Sequence, residues 1–583
     1  MIGGIDVGIT KKLVLRQKRK QQVEDFVKRH RKCINLVNDD DVNVSLTSDE
    51  DDSRLDAVNS DFTITTENKI SDKEQCKKQM RLELSNVAKV CDRYKVPGRC
   101  AAAIVSATLQ DVGLIHKDDT SMITDKNKLI RERRKVRRRL QTQAFQQQLS
   151  GGLYFDGRKD KTRVQIRKGN KNHGRIIVEE HVCLVREPNS DYLGHITPSS
   201  GGAESIANGI WNFLRDNNVQ TDDLMAIGCD GTNVNTGAHR GVIRLLEKRL
   251  GRPLQWFVCL LHANELPLRH LLIKLDGVTS GPHLFSGPIG SLLPTCEELP
   301  VVPFASIKFG NCPPVDGADL STDQRYLFNM CKAVEIGQCS GDLALQKPGP
   351  IVHSRWLTTA NRLLRLYVAT NKPSKNLVEL VTYVMTAYAP LWFHIKTQSA
   401  CTEGSRHFWR LIKFSRYLKP ELKAVVNAVI ARNAYFCHSE NILLAMLADE
   451  RDHIRELGCR RILAARKENS SKAMRQFRVP NVNFEATDYI DLVNWNNEDR
   501  CEPPMTKNLP EAELQDCINN KNNQLVKKLP LFPCHTQATE RHIRLVTEAS
   551  AAVCPEQRDG FIRSGIDSRR KMKTFDNKAQ YVL

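Results

Sequence analysis

Two aspartates stand in matching settings. Asp156 ends the apolar run of "LYFDG" and Asp230 ends that of "AIGCDG", and each is followed by glycine. If the two runs are neighbouring strands, both carboxylates emerge at one edge of a sheet. Two carboxylates side by side cannot comfortably both ionise without a cation between them, so a divalent metal is the natural third party. Asp-Gly is equally a common turn opener, and that plainer reading stands beside the metal one. Cys259 and His262 in "CLLH" have the spacing of a zinc-ligand pair, but no second pair stands nearby to complete four ligands. Their other reading is structural, with His262 hydrogen-bonding near the strand edge. Glu440, Asp449, Glu450 and Asp452 are rival acids. They lie among arginines in "ENILLAMLADERDHIRELGCRR", as in an ion-paired helix with an Ile442, Leu443, Met446 core stripe.

Such aspartates need strands to carry them. "GGLYFDG" reads as a glycine turn and then a strand. "RIIVEEHVCLVRE" (175–187) and "YLGHIT" (192–197) read as two paired strands, with a turn at Asn189, Ser190 and Asp191. Residues 201–217 form a helix with Ile206, Ile210 and Leu214 spaced by four, and 223–230 a strand. Residues 237–251 form a helix closed by Gly251, and 254–262 start as a strand. This order predicts an α/β fold with a mixed sheet. It matches the ribonuclease-H-like layout better than a doubly wound dinucleotide fold, which would lack the early hairpin. Neither GxGxxG nor GxxxxGK[ST] occurs. The stretch 275–350 is rich in Pro and Gly, and helical patterns dominate 353–470. A helix then returns in "LPLFPCHTQATERHIRLVTEASAAV" (529–553). Pro530 and Pro533 break the preceding segment, Thr536 suits an N-cap, and Ile543, Leu545, Val546 and Ala549 can face the sheet. Glu540 falls near the first turn, where it could be aimed at the strand tips or simply compensate the helix dipole.

The 583 residues carry 87 Lys and Arg against 67 Asp and Glu, a net charge of +20 that favours a polyanionic partner. "RERRKVRRRL" (131–140) concentrates that charge; Arg133, Arg134, Arg137 and Arg138 are candidates for phosphate contact. A solvated linker helix or a nuclear-import signal fits the same run. No CxxC occurs among 18 cysteines, and no secretory signal or membrane span is expected. The thiols read as reduced, in the cytosol or nucleus. Residues 1–72 read as basic and then acidic, largely disordered, and 73–145 as a small helical domain, with Leu82, Val87, Val90, Ile104, Val105 and Leu109 as its apolar candidates, and a basic linker helix. The core occupies 150–272, a mostly helical insertion 273–525, the core's return helix 526–560, and a basic flexible tail 561–583.

Asp156, Asp230, "CLLH", "HSRWLTT" (353–359) and "PCHTQATERHIRLV" (533–546), in this order and spacing, resemble the hAT superfamily of cut-and-paste DNA transposases. The resemblance covers roughly 150–560. It implies a ribonuclease-H-like core split by a large helical insertion, a DNA partner, a nuclear location, and an acidic metal triad of Asp156, Asp230 and Glu540. Mg²⁺ or Mn²⁺ is the implied cofactor, as two ions about 3.5–4 Å apart serving in-line phosphoryl transfer. It also suggests that Trp356 stacks on an unpaired base and that Arg355 meets phosphate; packing is the other reading of Trp356. The chain has no BED-type zinc finger, carries "RWLTT" where "RWNS" is usual, and lacks the common aromatic after "ER". A domesticated or decayed copy, a catalytically inactive DNA- or chromatin-binding interaction protein, is therefore the competing reading. Homo-oligomerisation stays open.

Overall fold

The computed structural model describes residues 82–572, apart from 118–120, 146–150, 169–170, 282–283, 352–355, 469–473, 476, 497–500 and 521–527. The expectations for 1–72, and those for Arg355, lie outside the described residues.

The fold is mixed α/β. Its sheet contains β1 (Gly151–Lys168), β2 (Lys171–Glu187), β3 (Asp191–Ile196), β4 (Leu224–Cys229) and β5 (Gln255–Val258), in the order β3-β2-β1-β4-β5. The β1–β2 and β2–β3 pairs are antiparallel, and β4 is parallel to both β1 and β5. The parallel pairs need crossovers, and helices supply them.

Strand alternation sorts side chains to two faces. Leu153, Phe155, Val182, Leu184, Ile227 and Trp256 form one apolar cluster with Ile206, Ile210 and Leu214 of a helix at Ala203–Asp216, and with Val242, Ile243 and Leu246 of one at Val242–Leu250. Gly251 ends the latter helix with φ +66°, a conformation glycine adopts without a Cβ penalty. Tyr154, Cys183, Val185, Ala226 and Phe257 face the other way, into a core shared with the insertion.

Beyond β5, a helix at Leu260–Asp276 leads into that insertion. A two-stranded hairpin (Thr279–Gly281 and Leu284–Phe285) interrupts the Pro/Gly-rich region, and Thr322–Ile336 is a helix that its patchy periodicity did not announce. Helices at Trp356–Tyr367, Lys375–Tyr383, Ala389–Thr397, Gly404–Ser415, Pro420–Arg432, Ser439–Leu447 and Asp452–Glu468 follow. The chain then returns to the sheet. We call the helices flanking the sheet region α1 (Ser85–Arg93), α2 (Gly98–Asp111), α3 (Lys126–Phe145), α4 (the return helix, Gln537–Ala552) and α5 (Pro555–Lys571). Helix α4 lies on β1 and β2, whereas α5 packs on α1 and α3.

Three expectations change. The return region extends past 560, because residues 555–571 are helical and not part of a flexible tail. Helix α5 was hidden because most of what it buries is polar: Arg558, Arg563, Ser564 and Ser568. The N-terminal helices bury Ala88, Cys91, Ala101 and Ala102, while Ile104, read as core, is 61% exposed. Finally, β1 does not stop at Asp156 but runs on to Lys168.

Candidate functional site

Asp156 sits inside β1 and not at a turn, because its backbone pairs with Cys183 of β2 and the ladder continues beyond it. The Asp-Gly turn reading therefore fails at this residue. Tyr154 pairs with Gly228 across the parallel β1–β4 ladder. Asp156 lies two residues further along β1, so alternation returns it to the face that Tyr154 occupies, and Asp230 stands one residue past the end of β4. Gly228 is required there, since a Cβ on it would come within 2.6 Å of the Tyr154 ring.

Asp230 begins the loop after β4. Its Oδ1 accepts hydrogen bonds from the backbone N–H of Thr232 (3.2 Å), the Thr232 hydroxyl (2.8 Å) and Asn235 Nδ2 (2.6 Å). The local turn reading holds for this residue, and it fixes the carboxylate with one oxygen committed to the loop. Thr232 and Asn235 of "DGTNVNTG" are thereby explained as supports for the acid.

The third acid arrives from 384 positions downstream. The Tyr154 hydroxyl donates to the carbonyl of Pro533, and Leu260 N donates to that of Cys534 at 3.0 Å. Thr536 N donates to Cys259 Sγ at 3.4 Å, and Cys183 Sγ donates to the Thr539 carbonyl at 3.2 Å. Four contacts thus stitch residues 533–539 across the sheet end. Cys183, the last of these anchors, is the cross-strand partner of Asp156. Glu540 follows at once, in the first turn of α4, with its N–H bonded to the Thr536 carbonyl at 2.9 Å. Ile543, Val546 and Ala549 are buried beneath the helix, and Leu545 is only partly so.

Electrostatics reports the convergence. Burial, then the negative charges of Glu540 and Asp230, push the Asp156 carboxyl up to about 8. Asp156 nevertheless keeps some exposed surface and Glu540 is exposed, so solvent and solutes reach the group. Among the described residues, no three or more His, Cys, Asp or Glu side chains form a closed metal-binding group. The acids share a field without forming a preassembled ligand shell.

The other candidates fall into place around them. Burial, helped by the Glu540 charge, pushes the Cys259 thiol up to about 12, and its sulfur accepts the Thr536 N–H. This is a structural thiol at the head of the Leu260–Asp276 helix. His262 is held below its usual range by burial, against the pull of the Asp230 charge, and lies beside Gly231. Trp356 is buried, its ring edge-on to Phe285 at 6.2 Å, which is the packing alternative. Among the rival acids, Glu440 is fully buried and held by Arg475. Asp449 is held by Arg451 and the Tyr489 hydroxyl, and Asp452 by Arg455.

The basic helix α3 divides. Arg133 donates to the Val96 carbonyl at 2.6 Å, and Arg137 clasps the buried Asp92 through two bonds of 2.8 and 3.1 Å. These two, one turn apart, hold the helical domain together. Arg134 is partly buried, and Arg138 is exposed. Tyr154, Cys183 and Thr539 are the supporting residues that pattern reading missed; nothing in their local sequence marks them. No protein-family model matches the chain, and no curated protein is significantly similar to it.

Proposed function

We propose that this chain is a transposase-like, metal-dependent DNA strand-cleaving and strand-transferring protein, with a ribonuclease-H-like core and Asp156, Asp230 and Glu540 as its acidic triad. The observation that carries the reading is that Asp156, held up to about 8 first by burial, also feels the charges of Glu540, 384 positions downstream, and of Asp230. Ordinary turn or dipole roles give no reason for acids so far apart in sequence to share a field. The sheet order, with an antiparallel hairpin joined to two parallel strands, supports the core assignment. The donor set is all oxygen, which suits Mg²⁺ or Mn²⁺. Asp156, the uncommitted oxygen of Asp230, and Glu540 would hold the metal. The chemistry a metal would supply there is activation of a water or 3′-hydroxyl and stabilisation of the leaving oxygen in phosphoryl transfer.

The residues' own work is positional. Thr232 and Asn235 orient Asp230, and the stitched 533–539 segment delivers Glu540. Cys259 stays a neutral thiol and adds no charge to the acids. DNA, and a nuclear location, follow from this reading and from the +20 net charge. Among the described residues no helix is long and apolar enough to cross a membrane.

The test is nicking of supercoiled DNA by the purified chain with and without Mg²⁺. Wild type is expected to nick only with metal, and Asp230→Asn and Glu540→Gln to lose this while still binding DNA. Equal nicking by wild type and both variants would dismiss the triad. Binding without nicking would favour the inactive DNA- or chromatin-binding alternative.

A further inference from the structure

The β1–β2 hairpin outgrows its sheet. Pairing of β1 with β4 ends at Tyr154, and pairing of β2 with β3 ends at Val182. The β1–β2 ladder continues without a third strand, from Arg158↔His181 to Lys168↔Lys171. Residues 157–181 hold eight Lys and Arg against three acidic residues.

The two faces of this ribbon differ. On one, Thr162 and His181 are buried and bonded to each other at 2.7 Å. Lys159, Lys161 and Arg163 alternate along the other, and the register sets Val178 opposite Lys161 and Ile176 opposite Arg163. Lys159 and Lys161 are exposed, and Ile176 and Val178 are 69% and 59% exposed. Among the described residues neither lysine has an ion-pair partner. One face of the ribbon is thus covered, while the other bares two large apolar residues between cations.

We propose that this ribbon is a DNA-gripping arm that lies in the major groove of the duplex beside the cut. The inference rests on the cleavage reading above for where the cut is. The major groove admits a two-stranded β-ribbon. Lys159, Lys161 and Arg163 meet phosphates, while Ile176 and Val178 meet the apolar parts of the groove, such as thymine methyls. The arm leaves the sheet at Asp156 itself. At about 3.3 Å per strand residue, positions 159–163 stand roughly 10–23 Å from that aspartate, or about three to seven base pairs along a duplex.

The measurement is anisotropy of a labelled duplex of about 30 bp, titrated with the full chain in EDTA from about 50 to 200 mM salt. Each lost phosphate contact lowers the salt slope by about 0.9. The Lys159→Ala, Lys161→Ala, Arg163→Ala variant is expected to lower it by about 2.7, which removes roughly forty-fold of the affinity change across that range. Lys159→Arg with Lys161→Arg should keep the wild-type slope, which shows that charge and not folding is read. Ile176→Thr with Val178→Thr should weaken binding several-fold at an unaltered slope. An unchanged slope in the triple variant overturns the proposal, as does absence of duplex binding by wild type. If the Ile176/Val178 variant instead binds DNA normally and dissociates a homo-oligomer in light scattering, the apolar pair belongs to a protein contact and the groove seating is overturned. Binding is read without metal, so the two readings fail separately. A chain that grips but does not nick loses the cleavage reading alone, and one that nicks with an unchanged slope loses only the arm.

Discussion

In the proposed triad Asp156 is the acid with a raised carboxyl, and its protonation sets a pH dependence. Its carboxyl is raised from a reference near 3.8 to about 8. Between those values the unfolded chain binds fewer protons at this site than the folded chain does. The stability contributed by Asp156 is thus fully present below about 4, falls as pH rises toward about 8, and is lost above it. A metal must displace the same proton. Mg²⁺ should therefore raise the melting temperature more at about pH 9 than at about pH 6, as differential scanning fluorimetry would show. Asp156→Asn removes both effects: the metal-free variant should melt higher than wild type at about pH 9 and gain nothing from Mg²⁺. A wild-type response to Mg²⁺ that ignores pH would detach the metal from Asp156.

At the scale of the element, α3 and α4 make opposite demands. On α3, Arg137 neutralises Asp92, whose side chain is fully buried, with Arg133 3.7 Å away as a second cation. Arg137→Ala should cost about 3 kcal/mol, the low end for breaking a buried pair, because Arg133 remains. Arg138→Ala, on the exposed side, should stay within about 0.5 kcal/mol. Urea denaturation separates the two, and equal costs would contradict the division of this helix. For α4, Ile543 anchors the helix that presents Glu540. Ile543→Ala should destabilise by about 2–5 kcal/mol, and nicking should fall by more than the folded fraction does. A loss that merely tracks the folded fraction would show that Glu540 does not depend on this anchor.

Across the whole molecule, one buried charge network joins insertion to core. Arg475 donates to Glu247 at 2.8 Å and also pairs with Glu440, and both glutamates are fully buried. Glu247 further accepts Leu254 N and Trp256 Nε1, each at 2.9 Å. Arg475→Ala takes from the buried Glu440 its arginine partner, while Glu247 keeps Arg244 at 3.2 Å, so a loss of about 3 kcal/mol is expected in denaturant unfolding. Glu440→Gln should lower stability yet leave Mg²⁺-dependent nicking per folded molecule unchanged, since this acid serves architecture. Loss of nicking there with stability intact would move the third acid from Glu540 to Glu440.

Much of the core was legible in residue order, because buried strands and amphipathic helices carry their own periodicity. Ile206, Ile210 and Leu214 announced a helix, "LMAIGC" a strand, and Pro530, Pro533 and Thr536 the start of the return helix. The aspartates were legible as a pair because each ends an apolar run before glycine. The extension of β1 beyond Asp156 was not: a ribbon outside the sheet has one open face, so no apolar alternation records it. Helix α5 was likewise invisible, since Lys89–Asp567 (2.7 Å) and Arg563 bonding to the β3 carbonyls of Tyr192 and Leu193 bind it by charge. That Asp156 comes within the field of Glu540 was also beyond local pattern: Tyr154, Cys183 and Cys259 tie residues 533–539 to the sheet, and a field between acids 384 positions apart exists only once the chain has folded back on itself.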